Sequence, residues 1–358
     1  MATYTRPLAT FEDVRAAFPV LDAFAYLNAG TNGPLARSTV EAMLAEELVD
    51  LTNGRGGEPY FSRALRMRDE VRAKLATQLG ADPSQVSLTR STTDGCNIVL
   101  AGLDLGPEDE VVTTDVEHFG LIGPLHASGA KVVTAPEDKI LDAVTDRTRL
   151  VAVSHVSWVT GNSLDPAGLK AETGLPVLVD GAQSAGVLPP AATDVDYYAV
   201  SCQKWLCGPD VTGALVVTRP EELDVALPSY FAQTEHRPDG SYEVREGAER
   251  FDSGWIGTPS LAGLSAALDV HPDWRFERIA EMAAKCRTAL EERFVVLTKP
   301  GQAGLVTFRP ATDPTQLVDK LRGEGVIVRE LPGRNLIRVS CGYWTSDDDL
   351  ERLLSGLS

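Results

Sequence analysis

The chain has 358 residues, enough to bury one large core and a second, smaller one. Hydrophobic residues make up 43% of it, no apolar run is long enough to span a bilayer, and the net charge of -18 opposes binding to nucleic acid or anionic membranes. The first residues, Met-Ala-Thr-Tyr-Thr-Arg-Pro, lack the apolar stretch of a signal peptide, so a cytoplasmic location is expected.

In chain order, residues 11–18 read as a short amphipathic helix. An extended segment Tyr26-Leu27-Asn28 follows, stopped by the cluster Gly30-Thr31-Asn32-Gly33-Pro34. Helices are expected over about 38–51 and 61–79, separated by a Gly-rich loop carrying Arg55. Residues 86–97, Val-Ser-Leu-Thr-Arg-Ser-Thr-Thr-Asp-Gly-Cys-Asn, read as strand, polar turn and helix start. Thr92 and Thr93 at that start suit either a plain N-cap or, with the backbone N–H groups and the helix dipole, a phosphate cradle.

Apolar strand runs then alternate with connections at 110–114, 131–134, 150–154, 176–179, 197–200 and 213–218. That alternation predicts an α/β fold with a mostly parallel sheet covered by helices on both faces. His118 lies just past the first of these strands, where it can stack on a ring or cap the next helix. Residues 230–257 read as a long irregular, functional or interfacial region. Beyond a helix after Pro259 and another over about 274–294, strands at 305–308, 326–329 and 336–339 build a second lobe that carries Arg329 and Arg338 on adjacent strands. The last helix follows Thr345-Ser346-Asp347-Asp348-Asp349, where acidic residues favour a helix start. Five cysteines, Cys96, Cys202, Cys207, Cys286 and Cys341, have neither CxxC nor Cys/His zinc spacing, so reduced, mostly buried thiols and no metal site are expected.

The strand at 176–179 ends in Asp180 and the next ends at Ser201, three residues before Lys204. In open α/β sheets the ligand crevice lies outside the carboxyl ends of the strands, so both side chains would face it. An amine able to form a Schiff base beside an acid able to keep a pyridinium nitrogen protonated is the pair a pyridoxal 5'-phosphate (PLP) enzyme needs.

With Asp180-x-x-Gln183, Ser201-x-x-Lys204 and the Arg338-Val-Ser-Cys-Gly-Tyr-Trp segment in view, the chain resembles the class V aminotransferase family of fold-type I PLP enzymes. That family includes cysteine desulfurases, cyst(e)ine C–S lyases and isopenicillin N epimerase-like proteins. The resemblance implies a fold-type I PLP-dependent transferase with a seven-stranded type of large sheet domain (26–258), a smaller α+β C-terminal domain (259–358) and an N-terminal segment (1–25) packing on the latter. It implies Lys204 as the Schiff-base lysine, Asp180 on the pyridine nitrogen, Gln183 on the phenolic oxygen and His118 stacked on the ring. Thr92, Thr93 and Ser201 would hold the phosphate, and Gly257-Thr258 would reach the phosphate of a neighbouring subunit in a homodimer. Arg338 would clamp the α-carboxylate of an amino-acid substrate, with Arg329 and Asn28 beside it.

Two departures bear on the reaction. The connection 330–336 between the two arginine strands is short and has no cysteine, and Gln203 stands where many desulfurases carry histidine before the lysine. Both point away from a persulfide relay, and the short connection is similar to that of the C–S lyases and epimerase-like members. The leading expectation is β-elimination on a cysteine-derived amino acid, giving pyruvate, ammonia and a thiol or persulfide. Epimerisation or transamination at the same centre, and a non-catalytic scaffold, are the competing expectations.

Overall fold

A computed structural model describes residues 10–358. Residues 1–9, part of the expected N-terminal segment, lie outside that range. Helix α1 (Phe11–Ala17) opens in a capping box between Thr10 and Asp13. Its Arg15 pairs with Asp349 at 2.7 Å, and the following Phe18 packs on the rings of Tyr343 and Trp344. A two-residue strand, β1 (Ala25–Tyr26), leads through the bend at 28–34 into α2 (Arg37–Asn53) and α3 (Gly57–Leu79).

The large sheet is built from β2 (Val86–Thr89), then α4 (Thr92–Gly102), β3 (Glu110–Thr114), α5 (Phe119–Ala127), β4 (Lys131–Ala135), β5 (Thr148–Ser154), α6 (Pro166–Thr173), β6 (Val177–Asp180), β7 (Tyr197–Ser201) and β8 (Gly213–Val217). Its seven strands run in the order β2-β8-β7-β6-β5-β3-β4. β8 runs antiparallel to both of its neighbours, β2 and β7, and the other pairings are parallel. Every residue of β2, β3, β6, β7 and β8 is buried, which is why these segments read as continuous apolar runs rather than as alternating ones. The α/β class and the mostly parallel sheet follow the sequence expectation.

Within the stretch expected to be irregular, β9 (Gln233–His236) and β10 (Tyr242–Val244) form an antiparallel hairpin. Most of their residues are exposed, so the hairpin has no apolar face for periodicity to reveal. Helix α7 (Thr258–Leu268) departs from the expected division at 258/259. Its Leu261, Leu264 and Leu268 enter the core under the large sheet, and it packs against α2 and α3. A Cβ on Gly263 would sit 2.5 Å from Met43 Cγ, so glycine there is what lets α2 and α7 approach so closely.

The smaller lobe follows: α8 (Arg275–Glu291), β11 (Val295–Val296), β12 (Leu305–Arg309), α9 (Pro314–Gly323), β13 (Val326–Ile327), β14 (Arg329–Leu331), β15 (Leu336–Ser340) and α10 (Asp347–Gly356). Its sheet is antiparallel in the order β11-β12-β15-β14. The single strand expected over 326–329 is two. β13 pairs in parallel with β1, and the chain then switches at Val328 so that β14 can pair with β15. The switch carries Arg329 out of one pairing and sets it directly opposite Arg338.

Candidate active site

Register alone assembles the floor of the site. Ser154, Asp180 and Ala199 are neighbours across the C-terminal ends of β5, β6 and β7, and Ser201 lies two residues beyond Ala199. Asp180 is buried, and its carboxylate accepts from Ala182 N–H at 2.9 Å, a turn that holds it at the strand end. Lys204 follows β7 on the same edge. Burial pushes its ammonium down to about 8, with Asp180 resisting the shift and Arg338 adding to it. The acid and the amine thus feel each other's charge. Yet they form no ion pair, and Lys204 Nζ makes no hydrogen bond to any described residue.

His118 caps α5: its Nδ1 accepts from Gly120 N–H at 3.0 Å, so the ring proton belongs on Nε2. Burial, then the positive charge of Lys204, lowers the imidazole's pKa and keeps the ring neutral. Its edge meets the Trp158 indole, with ring centres 5.1 Å apart. Of the two roles open in the sequence, the cap is realised, and the same ring lies within electrostatic reach of Lys204 and Asp180.

The N-terminus of α4 faces the end of β7. Thr92 N–H donates to Ser201 Oγ at 2.9 Å, and the two hydroxyls lie 2.9 Å apart. Ser91 Oγ takes Asp94 N–H at 3.1 Å and Ser91 O takes Gly95 N–H, so among the described residues the Thr93 N–H has no acceptor. An open donor at the start of an 11-residue helix, flanked by two hydroxyls, suits a phosphate.

Gln183 is held from both ends of its amide. Nε2 donates to Gly30 O at 2.8 Å and Oε1 accepts from the Trp205 indole at 2.9 Å. The loop at 28–31 also binds Arg338, whose Nη2 donates to Thr31 Oγ1 at 3.3 Å while Thr31 donates to Asn28 Oδ1 at 2.8 Å. Glycine at 30 is required here, since a Cβ would come within 2.9 Å of both Arg338 Nη2 and Gln183 Oε1. Arg338 Nη1 donates to Trp158 O at 3.2 Å, and Nε has no acceptor. Burial, with Arg329 opposite it in the sheet, pushes this guanidinium down to about 9, and no carboxylate among the described residues pairs with either arginine. Two like charges set across a ladder are unfavourable unless an anion joins them. Asn28 therefore supports Arg338 through Thr31 rather than standing alone at the crevice.

Thr258 lies elsewhere. Its hydroxyl is fully buried and donates to Asp50 at 2.8 Å, and Asp50 pairs with Arg63. Three further residues lie here: Thr31 beneath Arg338, Trp158 against His118, and Glu117, of which the sequence reading did not single out Thr31 and Glu117. The Glu117 carboxyl is buried and accepts from Thr114 Oγ1 at 2.7 Å, Ser154 N at 3.0 Å and Ser154 Oγ at 2.5 Å. Its adjacency to His118 in sequence was the only available signal.

An acid and an amine that share a sheet edge without an ion pair, an open helix N-terminus and two arginines without a carboxylate fit the ring nitrogen, the aldehyde and the phosphate of PLP and an amino-acid carboxylate. The comparisons agree. The aminotransferase class-V family model matches residues 26–352. Isopenicillin N epimerase of Amycolatopsis lactamdurans is 30% identical over 92% of this chain and 94% of its own. Cysteine desulfurase CsdA of Escherichia coli is 30% identical over 80% of this chain and 77% of its own. C-DES is similar in two solved structures. One, a complex between this cystine C-S lyase and its reaction product cysteine persulfide, has a TM-score of 0.88 at 30% identity, covering 95% of this chain and 98% of that one. The other, with glycine covalently linked to the PLP cofactor, has a TM-score of 0.88 at 29% identity, covering 96% and 98%. The chain belongs to the class-V aminotransferase family of fold-type I enzymes, and its cofactor is pyridoxal 5'-phosphate.

Proposed function

We propose that this chain is a carbon–sulfur lyase that performs β-elimination on cysteine-derived amino acids, with L-cystine as the first candidate. The observation that carries this reading is the position of the cysteines. All five are buried, and none lies in the 330–337 connection between the arginines, so sulfur removed from a substrate meets no exposed thiol of this chain and leaves with the product. The similarity to a cystine C-S lyase supports the same choice.

When bound, PLP supplies an electron sink conjugated to the substrate's Cα. Asp180 would keep a proton on the ring nitrogen, His118 would pack against the ring, and Gln183 Nε2 would offer its second N–H to the phenolic oxygen. Thr93 N–H, with the Thr92 and Ser201 hydroxyls, would hold the phosphate. Arg338 and Arg329 take the α-carboxylate and fix the orientation of the Cα–H bond, and Asn28 braces Arg338 through Thr31. Lys204 Nζ, with a pKa low enough to be part neutral near pH 8, accepts the Cα proton. The Cβ–S electron pair leaves with sulfur. With one water consumed, cystine gives cysteine persulfide, pyruvate and ammonium.

The enzyme acts as a homodimer in this reading. Because the Thr258 hydroxyl is spent on Asp50, the reach to a partner's phosphate falls to the main chain at Gly257-Thr258. Incubation with L-cystine followed by product analysis tests the reaction. Equimolar pyruvate and persulfide sulfur are expected. Recovery of the intact amino acid with inverted Cα would replace elimination with epimerisation, the reaction named for the Amycolatopsis relative.

A further inference from the structure

Three arginines occupy ten residues of the β14–β15 hairpin, Arg329, Arg334 and Arg338, in a chain with 51 acidic residues against 33 lysines and arginines. None of the three pairs with a carboxylate among the described residues. The one acid of the hairpin, Glu330, is turned to Thr315 at 2.5 Å. Glu137, which follows β4 and meets the loop after Trp158, is taken by Thr160 at 3.0 Å and Asn162 at 3.1 Å. Three guanidiniums within ten residues, none neutralised by a carboxylate, make this hairpin a local patch of positive charge able to attract an anion.

One carboxylate accounts for Arg338 and Arg329, which face each other across the ladder. Arg334 is a different case. It projects from the exposed turn, and its guanidinium lies 5.7 Å from the centre of the Trp158 ring. The same indole meets His118, and its backbone carbonyl holds Arg338, so Trp158 links Arg334 to the heart of the site. Trp158 Nε1 is itself buried with no acceptor, a donor left open within this contact group. A cation with no carboxylate partner and an N–H donor with no acceptor meet at this one tryptophan, which also touches Arg338 and His118, and together they suit an acceptor on the far end of the substrate.

We propose that Arg334 and the Trp158 indole N–H form a distal anion subsite, which selects amino acids whose sulfur substituent carries a carboxylate. Cystine has such a group in its second half. The subsite rests on the reading that Arg338 receives the α-carboxylate, and it holds whether the bound amino acid is then cleaved or epimerised. Simple S-alkyl cysteines would leave Arg334 and the indole N–H without their acceptor, and S-aminoalkyl cysteines would meet Arg334 with like charge.

The test compares S-carboxymethyl-L-cysteine, S-ethyl-L-cysteine and S-(2-aminoethyl)-L-cysteine with the holoenzyme, by kcat/KM for pyruvate release and by calorimetric Kd. S-carboxymethyl-L-cysteine is expected to be preferred over the ethyl analogue by about tenfold, the effect of one well-placed charge-assisted contact. Arg334→Ala should bring that ratio near one, and Arg334→Glu should turn it toward the aminoethyl compound. Arg334 is exposed in a turn, so both variants are expected to fold. Equal affinities for the three ligands in the wild type, or a preference untouched by Arg334→Glu, would overturn the subsite. Absence of pyruvate from all three would defeat the lyase reading instead, and the calorimetric ratios would still decide the subsite.

Discussion

Glu117 sits where burial outweighs three hydrogen bonds. The Ser154 hydroxyl and N–H and the Thr114 hydroxyl all donate to its carboxylate and favour its charge. Desolvation, with some help from Asp180, nevertheless pushes it from the ordinary 4.5 up to about 7. Between those values the folded chain keeps a proton that the unfolded chain has released. The stability this group contributes is therefore complete below about pH 4.5 and lost as pH rises through about 7, at most about 3 kcal/mol. Glu117→Gln cannot ionise, so the variant should gain on the wild type in urea midpoint between pH 5 and pH 8. Parallel midpoints for the two proteins across that range would mean that the carboxyl is charged throughout. The same residue shows how little of the site's floor is written locally. His118 stood out because it follows a strand, but Glu117 reads as one more acid until β3 and β5 bring Thr114 and Ser154 around it.

At the scale of elements, α2 presents two faces. One packs on α7, where Gly263 admits Met43. The other exposes Val40, Leu44, Leu48 and Leu51 at helical spacing, with Leu48 60% and Leu51 79% accessible. Phe61 and Leu65 of α3 and Trp255 before α7 are exposed as well. A stripe of large apolar side chains on a helix marks a surface that another chain covers, and here it lies on the helices that hold Thr258. The proposed homodimer would use it. Sedimentation equilibrium should find a dimer, and Leu48→Glu with Leu51→Glu should weaken association about 100-fold or more while preserving the far-UV spectrum. A wild-type monomer at micromolar concentration would sink the shared-site arrangement. The elements themselves were largely legible because strands buried on both faces read as apolar runs. What misled was partnership: α7 belongs with α2 and α3 because of Leu261, Leu264 and Leu268, and the run at 326–329 splits because two different strands claim its halves.

At the scale of the whole molecule, the crevice draws its cations from both lobes, and none of them pairs with a carboxylate among the described residues. Lys204 comes from the end of β7, Arg338 and Arg329 from the smaller lobe, and the loop at 28–31 ties the two together through Gln183, Gly30 and Thr31. Asp180, Gln183, Ser201 and Lys204 could be found in the sequence because short motifs at strand ends carry them. Thr31 could not, since it reaches Arg338 only when segments 307 residues apart meet.

The most direct test of the account follows wild type and Lys204→Ala, each reconstituted with PLP, through a visible spectrum and then L-cystine addition with pyruvate and persulfide assayed. The wild type is expected to show the visible band of lysine-linked cofactor and to release pyruvate and sulfur in equal amounts. Lys204→Ala should lack that band and lose at least about 1000-fold in turnover, as removal of a nucleophile and base requires. Comparable pyruvate release by the two proteins would contradict the assignment of Lys204 and the mechanism built on it.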